Sequence, residues 1–377
     1  MEVTLSDDQE FFRDTTQKFL TERCSTDVVR ELAADPSGFD PAYWRQGAEL
    51  GWTSLLVTEA DGGGSISGDG VVDLTIVADA FGRHAAPGPL IPANVVAAAI
   101  SRSGTDAQRD EHLGPMLAGE HFGAWCGSDL ALGDSSLGGP PLTVAAEGDG
   151  YVLSGTATPV EAGAQAGFLL ATARGEDGLS QFLVPVDTAG ITIEALTSVD
   201  LTRRFARIGF DGARVGADAM LGTAGGAAAD VERQLQLALV MQSAEMAGAA
   251  AKTFDFTVEW AFDRYSFGRP LASYQELKHR FADMKTWLEA SHGLASALAH
   301  GVQAGGPDAA ETASATKAYL GEYLPELMQD CVQMHGGIGL TADHDLHLYL
   351  RRVACGRATY GTPAEHRQRI AAIAAAA

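Results

Sequence analysis

The segment DRYSFGRP at residues 263–270 places Arg264 next to a tyrosine, in a chain with a formal net charge of −23. A surface ion pair with Asp263 or Glu259 is one role for this arginine, although exposed pairs contribute little to stability. A planar guanidinium can also make two charge-assisted hydrogen bonds to a phosphate. This segment alone leaves both interpretations open.

Two later segments also contain residues that can contact a phosphate. The first, YQELKHRFADM, includes Gln275, and the second, QMHGGIG, contains Gln333, Gly336 and Gly337. Glycine has no Cβ atom, so backbone amides at Gly336 and Gly337 can approach a phosphate closely, and Gln333 can donate from its side-chain amide. A helix C-terminal cap is the alternative role for the two glycines, and it is compatible with ligand contact.

The acidic composition limits the partners of the chain. It has 49 acidic and 26 basic residues, and only five of the latter are lysines. Such a surface repels polyanions, so we expect no nucleic-acid partner. A phosphate-bearing ligand must therefore be held locally, by arginines, glycine backbones and helix termini.

Composition also bounds the location of the chain and the role of its cysteines. No apolar run approaches the ~18–20 residues of a membrane span, and the N-terminus MEVTLSDDQEFF lacks the basic and apolar regions of a secretion signal. We therefore expect a cytoplasmic protein without a membrane partner. The cysteines stand far apart without metal-ligand spacing, which predicts structural thiols and no metal site: Cys24, Cys126, Cys331 and Cys355.

The periodicity of apolar residues divides the 377-residue chain into three domains. A capping box at Ser6–Gln9 and helical spacing predict an N-terminal helical domain over residues 1–120, which includes a glycine loop at 61–70. Short runs rich in Val, Ile and Thr predict a β domain over 121–225. Long amphipathic patterns return at 226–377 and predict a helical bundle.

Three C-terminal segments together resemble the acyl-CoA dehydrogenase flavoprotein family. They match R-x-x-F-G at Arg264, Q-x-x-x-H-R-x-A-D-M at Gln275 and Q-x-x-G-G-x-G at Gln333, in the family's order and spacing. WRQGAELGW, the glycine loop and VDLTRRFARIGFDGARV also look like family segments, so the resemblance covers the whole chain. It implies the family fold, with an N-terminal α-helical domain, a middle β-barrel or sandwich domain and a C-terminal four-helix bundle.

The resemblance implies FAD as the cofactor. In the family, the three C-terminal segments hold the FAD of the neighbouring subunit, where the arginine suits the pyrophosphate and the phenylalanine can wall off the adenosine. Thr362, in a Gly-Thr pair, corresponds to a contact that a subunit makes to its own flavin. The residues predicted to bind FAD are Arg264, Ser266, Phe267, Gln275, Gln333, Gly336, Gly337 and Thr362.

The chain departs from the family at the catalytic base. The reaction implied is α,β-dehydrogenation of an acyl-CoA thioester, which needs a carboxylate to remove a proton. Tyr360 stands before Gly-Thr where the glutamate is usual, and Ala238 occupies the second family position. Glu245 and Glu365 lie near these positions, but a helix-surface or N-cap role is the alternative for each. We therefore predict no catalytic residue.

The β domain departs as well. Gly127, Ser128 and Asp129 retain the end of a family segment that contacts flavin and substrate, but the residues before them differ. Pro159 and Glu161 align with a tryptophan and a threonine that lie against the flavin ring in the family. An anionic Glu161 there would oppose the negative charge of reduced flavin.

Most contacts of a subunit to its own flavin are thus altered, whereas those to its neighbour's flavin are intact. This pattern resembles the α2β2 acyl-CoA dehydrogenases of actinobacterial sterol breakdown. Our leading hypothesis is a non-catalytic subunit that completes the FAD site of a second, acyl-CoA dehydrogenase-like chain acting on an acyl-CoA substrate. The alternatives are a self-sufficient, homo-oligomeric enzyme with Glu245 or Glu365 as base, and a flavin-free structural or acyl-CoA-binding relative.

Overall fold

The computed structural model describes residues 5–127 and 142–376. Ser128 and Asp129, from the β-domain segment discussed above, lie outside the described residues. No described helix combines the length and the apolar character needed to cross a bilayer.

The N-terminal part of the chain is helical. Its helices are α1 (Asp7–Arg23), α2 (Thr26–Ala33), α3 (Pro41–Glu49), α4 (Gly70–His84), α5 (Leu90–Ser103) and α6 (Asp106–Leu117). The capping box is confirmed at α1, because the Gln9 amide donates to Ser6 Oγ at 3.2 Å and the Ser6 amide donates to Gln9 Oε1 at 3.0 Å. The glycine loop leads into α4, and the Pro-Gly-Pro break at 87–89 separates α4 from α5.

The middle of the chain forms an eight-stranded sheet with the order β6-β7-β3-β2-β4-β5-β8, and β1 pairs in parallel with β4. The strands are β1 (Gly123–Cys126), β2 (Thr143–Glu147), β3 (Gly150–Glu161), β4 (Phe168–Gly175), β5 (Gly178–Pro185), β6 (Ile191–Leu196), β7 (Phe205–Gly216) and β8 (Met220–Leu221). The end of β3 pairs with the start of β7, where Glu161 lies opposite Phe205. This register places Glu161 next to the loop that precedes β7.

The C-terminal part is a helical bundle. It contains α7 (Ala228–Asp263), α8 (Gln275–Ala304), α9 (Ala309–His335), α10 (Leu346–Ala358) and α11 (Pro363–Ala376), with a short hairpin of β9 (Tyr265–Ser266) and β10 (Arg269–Pro270) between α7 and α8. The long helix α7 packs against α4, α8, α9 and α10. Its apolar and small residues are buried along most of its length, which places α7 at the centre of the molecule.

Two glycines allow α4 and α7 to approach closely. A Cβ atom at Gly82 would lie 2.0 Å from the carbonyl oxygen of Glu245, and one at Gly248 would lie 2.2 Å from that of Asp79. Real Cβ atoms do not come this close to backbone atoms, so the crossing requires glycine at both positions. The crossing places the buried Glu245 between the N-terminal helices and the bundle.

Candidate functional site

Arg264 is the C-cap of α7 and begins a tight hairpin. Phe267 and Gly268 form the turn with φ of 49° and 82°, which is the left-handed pair that a two-residue hairpin uses. The hairpin is fastened to the start of α8, because the Tyr274 hydroxyl donates to the Ser266 carbonyl at 2.7 Å and the guanidinium of Arg269 lies 3.8 Å from the centre of the Tyr274 ring. Its shape is therefore fixed by contacts within the chain.

Trp260 brings the end of α9 to the same end of the bundle. Its indole nitrogen donates to the Met334 carbonyl at 3.2 Å, and its ring stacks on His335 with 5.2 Å between ring centroids. The guanidinium of Arg264 lies 5.9 Å from the centre of the same indole ring. The structure thus places Arg264 beside the glycine segment that follows His335.

The glycine segment has the open backbone that the sequence predicts. Gly336 has φ of 64° and ψ of −139°, a conformation that side chains other than glycine rarely adopt. A Cβ atom at Gly336 or Gly337 would meet no heavy atom within 4 Å. Gly336 is needed for its dihedral angle, whereas Gly337 leaves its backbone accessible.

Seven of the eight predicted FAD-binding residues belong to these segments, which we call the clasp. Its members are Arg264, Ser266, Phe267, Gln275, Gln333, Gly336 and Gly337. All are solvent-exposed except Ser266, which is half-buried. Phe267 is 97% exposed, and Leu340, just after the glycine segment, is 78% exposed. Both side chains therefore present apolar surface to solvent.

Arg264 has no ion pair among the described residues, so the salt bridge to Asp263 or Glu259 is not formed. A cation without a partner, two glycine amides and an exposed aromatic ring fit the phosphates and adenosine of a dinucleotide. The clasp therefore presents groups whose chemistry suits that end of FAD.

Thr362 lies outside the clasp. It caps α11, where its backbone amide and hydroxyl donate to Glu365 Oε2 at 2.7 and 2.8 Å. Pro363 packs against Gly321 of α9. His335 follows Gly321 by 14 positions along the same helix, which is about 21 Å. The helix-cap role of Glu365 is confirmed, and Glu365 is committed to a local structural contact.

Tyr360, at the position of the family base, meets a buried group of charges. Its hydroxyl donates to Glu161 Oε2 at 2.8 Å. Arg203 pairs with both Glu161 and Glu245, and Arg352 pairs with Glu245 and Asp200. We call the five charged residues the charge cluster: Glu161, Asp200, Arg203, Glu245 and Arg352. Each is no more than 9% exposed, so the cluster is part of the protein interior.

Distant elements supply the charge cluster. Glu161 ends β3, Glu245 is on α7 and Arg352 is on α10, while Asp200 and Arg203 lie in the loop before β7. The Arg352 guanidinium also donates to Thr202 Oγ1 at 2.6 Å. The helix-surface interpretation of Glu245 is wrong, because the α4–α7 crossing buries it and both of its oxygens accept from guanidinium groups.

The protonation states follow from burial and partners. Burial raises the pKa of Glu161, and Arg203 and the Tyr360 hydroxyl partly oppose this rise. Burial would also raise the pKa of Asp200, but Arg352 and Arg203 outweigh it and hold that pKa below its ordinary value. Burial, and then the charge of Glu161, raise the pKa of Tyr360 well above its ordinary value. Tyr360 is therefore a proton donor in a hydrogen bond near neutral pH and not a base.

Little space remains around the charge cluster. One cavity beside Glu161 and Arg203 and another beside Glu245 and Arg352 have volumes of about 10 Å³ each. A cavity of this volume holds about one water molecule. Tyr360 also stacks on Trp125, with 6.0 Å between ring centroids. Tyr360 is therefore packed between Glu161 and Trp125.

Neither family position for the base carries a carboxylate, since Ala238 is buried on α7 and Tyr360 is a phenol. Pro159, aligned with the family tryptophan, is exposed, and Glu161 is committed to Arg203 and Tyr360. No sequence motif singled out Asp200, Arg203 or Arg352 as functional residues. The sequence feature that could have indicated them is the placement of arginines within apolar segments, namely VDLTRRF and LYLRRVACG.

The four cysteines are buried, as expected for structural thiols. Burial raises the pKa of Cys24 to about 11 and that of both Cys331 and Cys355 to about 12. Thiols with such pKa values remain protonated and unreactive near neutral pH.

Comparison with known proteins supports the family resemblance. The chain matches the family models "Acyl-CoA dehydrogenase, N-terminal domain" over residues 6–120 and "Acyl-CoA dehydrogenase, C-terminal domain" over residues 225–375. Among curated proteins, it is 28% identical over 374 residues to acyl-CoA dehydrogenase IpdE2 of Mycolicibacterium smegmatis, covering 98% of this chain and 99% of that protein.

Solved structures show the same fold. The Tcur3481-Tcur3483 steroid ACAD, in a variant form, superposes with a TM-score of 0.88 at 27% identity, over 99% of this chain and 100% of that chain. The ChsE4-ChsE5 complex of Mycobacterium tuberculosis gives a TM-score of 0.90 at 24% identity, over 100% and 99% of the two chains. The two family models, the full-length relative and the fold agree, and the chain belongs to the acyl-CoA dehydrogenase family, oxidoreductases that act on the CH–CH bond of acyl-CoA thioesters and generally bind FAD.

Proposed function

We propose that this chain is the non-catalytic subunit of a heteromeric, FAD-dependent acyl-CoA dehydrogenase. Its clasp would hold the pyrophosphate and adenosine of an FAD whose ring is seated in a partner chain. That partner would supply the carboxylate that removes the substrate proton. FAD, when bound, would supply the acceptor for the hydride, and the residues of this chain would orient the dinucleotide and cover one end of it.

The observation that carries this proposal is which residue occupies the family's position for the catalytic base and what that residue contacts. Tyr360 replaces the glutamate, and its hydroxyl is bound to Glu161, which also pairs with Arg203. A chain that bound substrate here would need to break buried ion pairs, and leaving one buried charge without its partner costs about 3–5 kcal/mol. The charge cluster therefore opposes entry of an acyl group into this chain.

The clasp provides a second observation that supports the proposal. Arg264 is free of ion pairs among the described residues, and the exposed Phe267 lies on a hairpin of fixed shape. A hairpin fixed before binding loses little conformational entropy when a ligand arrives. These features support a role of the clasp in holding the phosphates, and the altered residues Pro159 and Glu161 among the described part of the chain support seating of the flavin ring in the partner.

The substrate and the partner follow from the relatives. One 27%-identical structure is a steroid ACAD assembled from two named chains, and the fold is shared with the ChsE4-ChsE5 complex. By similarity we propose a steroid-CoA thioester as the substrate and a second acyl-CoA dehydrogenase-like chain as the partner. A homo-oligomer of this chain alone would contain FAD clasps without a base.

The self-sufficient enzyme is less well supported. Glu245 uses both oxygens in ion pairs, and Glu365 caps α11. If either residue were the base, the solitary chain would oxidise acyl-CoA with an artificial electron acceptor, and the corresponding Glu→Gln variant would lose that turnover. If this chain is non-catalytic, the solitary protein shows no turnover to lose.

The test is flavin content with and without the partner. We expect the solitary chain to purify with much less than one FAD per chain and no acyl-CoA oxidation. Co-expression with an acyl-CoA dehydrogenase-like partner chain should give a complex with one FAD for every two chains and measurable turnover. One FAD per solitary chain with turnover would overturn the proposal, and so would a complex with one FAD on every chain.

A further inference from the structure

A separate cavity of about 520 Å³ lies near the N-terminal end of α7. It is bounded by the loop of residues 55–70, the last turns of α5, the first turns of α7 and Gln303 near the end of α8. This volume is within the range of ~300–1,000 Å³ that small-molecule sites occupy. The small cavities beside the charge cluster share none of its lining residues.

Distance along α7 also separates the two places. Gln234 lines the large cavity and Gln242 lies beside the charge cluster. Gln242 follows Gln234 by eight positions, which corresponds to about 12 Å of helix. The cavity is therefore a different place in the molecule from the charge cluster, and its lining is independent of the clasp.

The glycine loop that forms one wall is held in place by Asp73, which is fully buried. One carboxylate oxygen of Asp73 accepts from the amides of Ile66 and Ser67 at 2.7 and 2.9 Å. The other accepts from the Ser67 hydroxyl at 2.8 Å and from the Gln9 side chain at 2.7 Å. A carboxylate with four hydrogen-bond donors fixes this loop, so the wall is formed before any ligand binds.

The loop also packs tightly through glycine. A Cβ atom at Gly70 would lie 1.8 Å from the Leu55 carbonyl oxygen, and one at Gly63 would lie 2.2 Å from that of Val57. These contacts bring the apolar side of the loop against the helices. The apolar part of the lining comprises Leu55, Leu56, Val57, Val71, Ala98, Ala99 and Leu237.

Two arginines line the cavity and differ in their partners. Arg102 pairs with Asp230 at 3.0 Å. Arg233 is half-buried, and within the described parts of the chain its only hydrogen bond goes from Nη1 to the Val302 carbonyl. Burial, and then the nearby charge of Arg102, lower the pKa of Arg233. The remaining N–H donors of its guanidinium have no protein acceptor there, so Arg233 is an uncompensated cation beside an apolar wall.

We propose that this cavity binds a small amphipathic carboxylate, with its hydrocarbon body against the apolar lining and its carboxylate paired with Arg233. A carboxylate matches the planar fork of a guanidinium through two parallel hydrogen bonds. Burial of the hydrocarbon adds affinity in proportion to the apolar area removed from water. The cation and the apolar wall together select a ligand that has both features.

The probe for this site is dodecanoate below its critical micelle concentration, titrated into the full-length chain by calorimetry. We expect saturable binding of one dodecanoate per chain. Dodecan-1-ol should bind at least tenfold more weakly, because it has the same body without the charge. Inorganic phosphate should not bind measurably, because it has charge without an apolar body.

Three variants separate the two features of the site. Arg233→Gln should weaken dodecanoate binding at least tenfold, and Arg233→Lys should restore part of it. Ala98→Phe should fill the cavity and abolish binding without a change of charge. Arg214→Gln removes an exposed arginine of β7 that pairs with Glu147, and it should leave the affinity unchanged.

Circular dichroism and thermal unfolding of each variant establish that the fold is retained. The proposal is overturned if dodecanoate fails to bind the wild-type chain, or if Arg233→Gln and Ala98→Phe both bind it as well as the wild type does. Equal affinity for dodecan-1-ol would show that the cation plays no part, and tight binding of phosphate would show that the apolar wall plays none. Either of these results also overturns the proposal.

Discussion

The charge cluster and the clasp are both rich in polar groups, but their partners are in different places. Each charge of the cluster is buried and paired with another residue of the chain, as Glu245 is with Arg203 and Arg352. The clasp leaves Arg264 without an ion pair among the described residues and Phe267 97% exposed. The charges of the cluster find their partners within the chain, whereas the clasp leaves Arg264 and Phe267 open to solvent.

This difference separates stability from function. Changes in the charge cluster should affect folding of this chain, because a buried charge without its partner is costly. Changes in the clasp should leave the folded chain intact and affect only what binds to it. In an enzyme with its own complete active site, the residue at the position of the catalytic base would instead support activity at the expense of stability. The predictions below test this separation.

The largest expected effect is a loss of stability of the folded chain when a residue of the charge cluster is replaced. Arg352→Met would leave the carboxylates of Asp200 and Glu245 short of a partner, with an expected loss of about 3–5 kcal/mol in the free energy of unfolding. Arg351→Met is the matched control, since the neighbouring Arg351 is half-buried and donates only to the Val199 carbonyl among the described residues. It should cost less than about 1 kcal/mol.

Urea denaturation of the purified chain measures both changes. Equal losses for the two variants would show that the pairs of Arg352 contribute no more than a surface contact. The separation between a self-contained cluster and an open clasp would then lose its energetic basis.

The second effect is on flavin affinity of the complex. Arg264→Ala removes the guanidinium proposed to pair with the pyrophosphate, and the affinity for FAD should fall about 10- to 100-fold, as expected for loss of charge-assisted hydrogen bonds. The thermal midpoint of the solitary chain should not change. Arg214→Ala, on the exposed face of β7, serves as the control for a lost surface charge.

Flavin release during dilution of the complex reports the affinity. If Arg264→Ala retains FAD as firmly as the wild type does, the clasp has no role in flavin binding. The flavin-free interpretation of this chain would then be favoured.

Sequence reasoning found the clasp and missed most of the charge cluster for a physical reason. Arg264, Ser266 and Phe267 lie within one short segment whose shape is set by local hydrogen bonds and a turn. The capping box of α1 and the alternation between helical and strand periods are local in the same sense. Such features depend on neighbours in sequence, so their pattern can be read before the structure is known.

The charge cluster depends on tertiary packing. Glu161, Arg203, Glu245 and Arg352 come from four separate elements, and their meeting requires the close α4–α7 crossing. The sequence alone does not show this crossing, so Glu245 is only one of several acidic residues along a helix. The cavity beside Arg233 is non-local too, because its wall needs the loop that Asp73 fastens.

A third, smaller effect concerns pH. Lys317 is buried, with its ammonium group donating to Gln242 Oε1 and to the carbonyls of Gly356 and Thr359 just before Tyr360. Burial lowers the pKa of Lys317 to about 7, from 10.5 in an unfolded chain. The unfolded state therefore holds the proton more tightly between these two pH values. This group makes the chain more stable as pH rises from about 7, by roughly 1 kcal/mol per pH unit.

Lys317→Met should remove that gain, so its stability relative to the wild type should decline between pH 7 and pH 8.5. Lys285→Met replaces an exposed lysine paired with Glu289 on α8 and should follow the wild type. Unfolding measured across this pH window checks the slope. A parallel pH profile for Lys317→Met and the wild type would contradict a depressed pKa at Lys317.

The smallest expected change is Tyr360→Phe, which also bears most directly on function. The variant keeps the ring stacked on Trp125 and removes only the donor to Glu161, a loss of about 1 kcal/mol in stability. Tyr349→Phe, which removes a hydroxyl bonded to the Arg83 carbonyl at 3.1 Å, is a matched control for one lost hydrogen bond. Turnover of the complex should stay at the wild-type level for both variants, because the base belongs to the partner chain. If Tyr360→Phe alone abolished turnover while the complex kept its FAD, the phenol would have to contact the reacting atoms, and the charge cluster would be part of an active site.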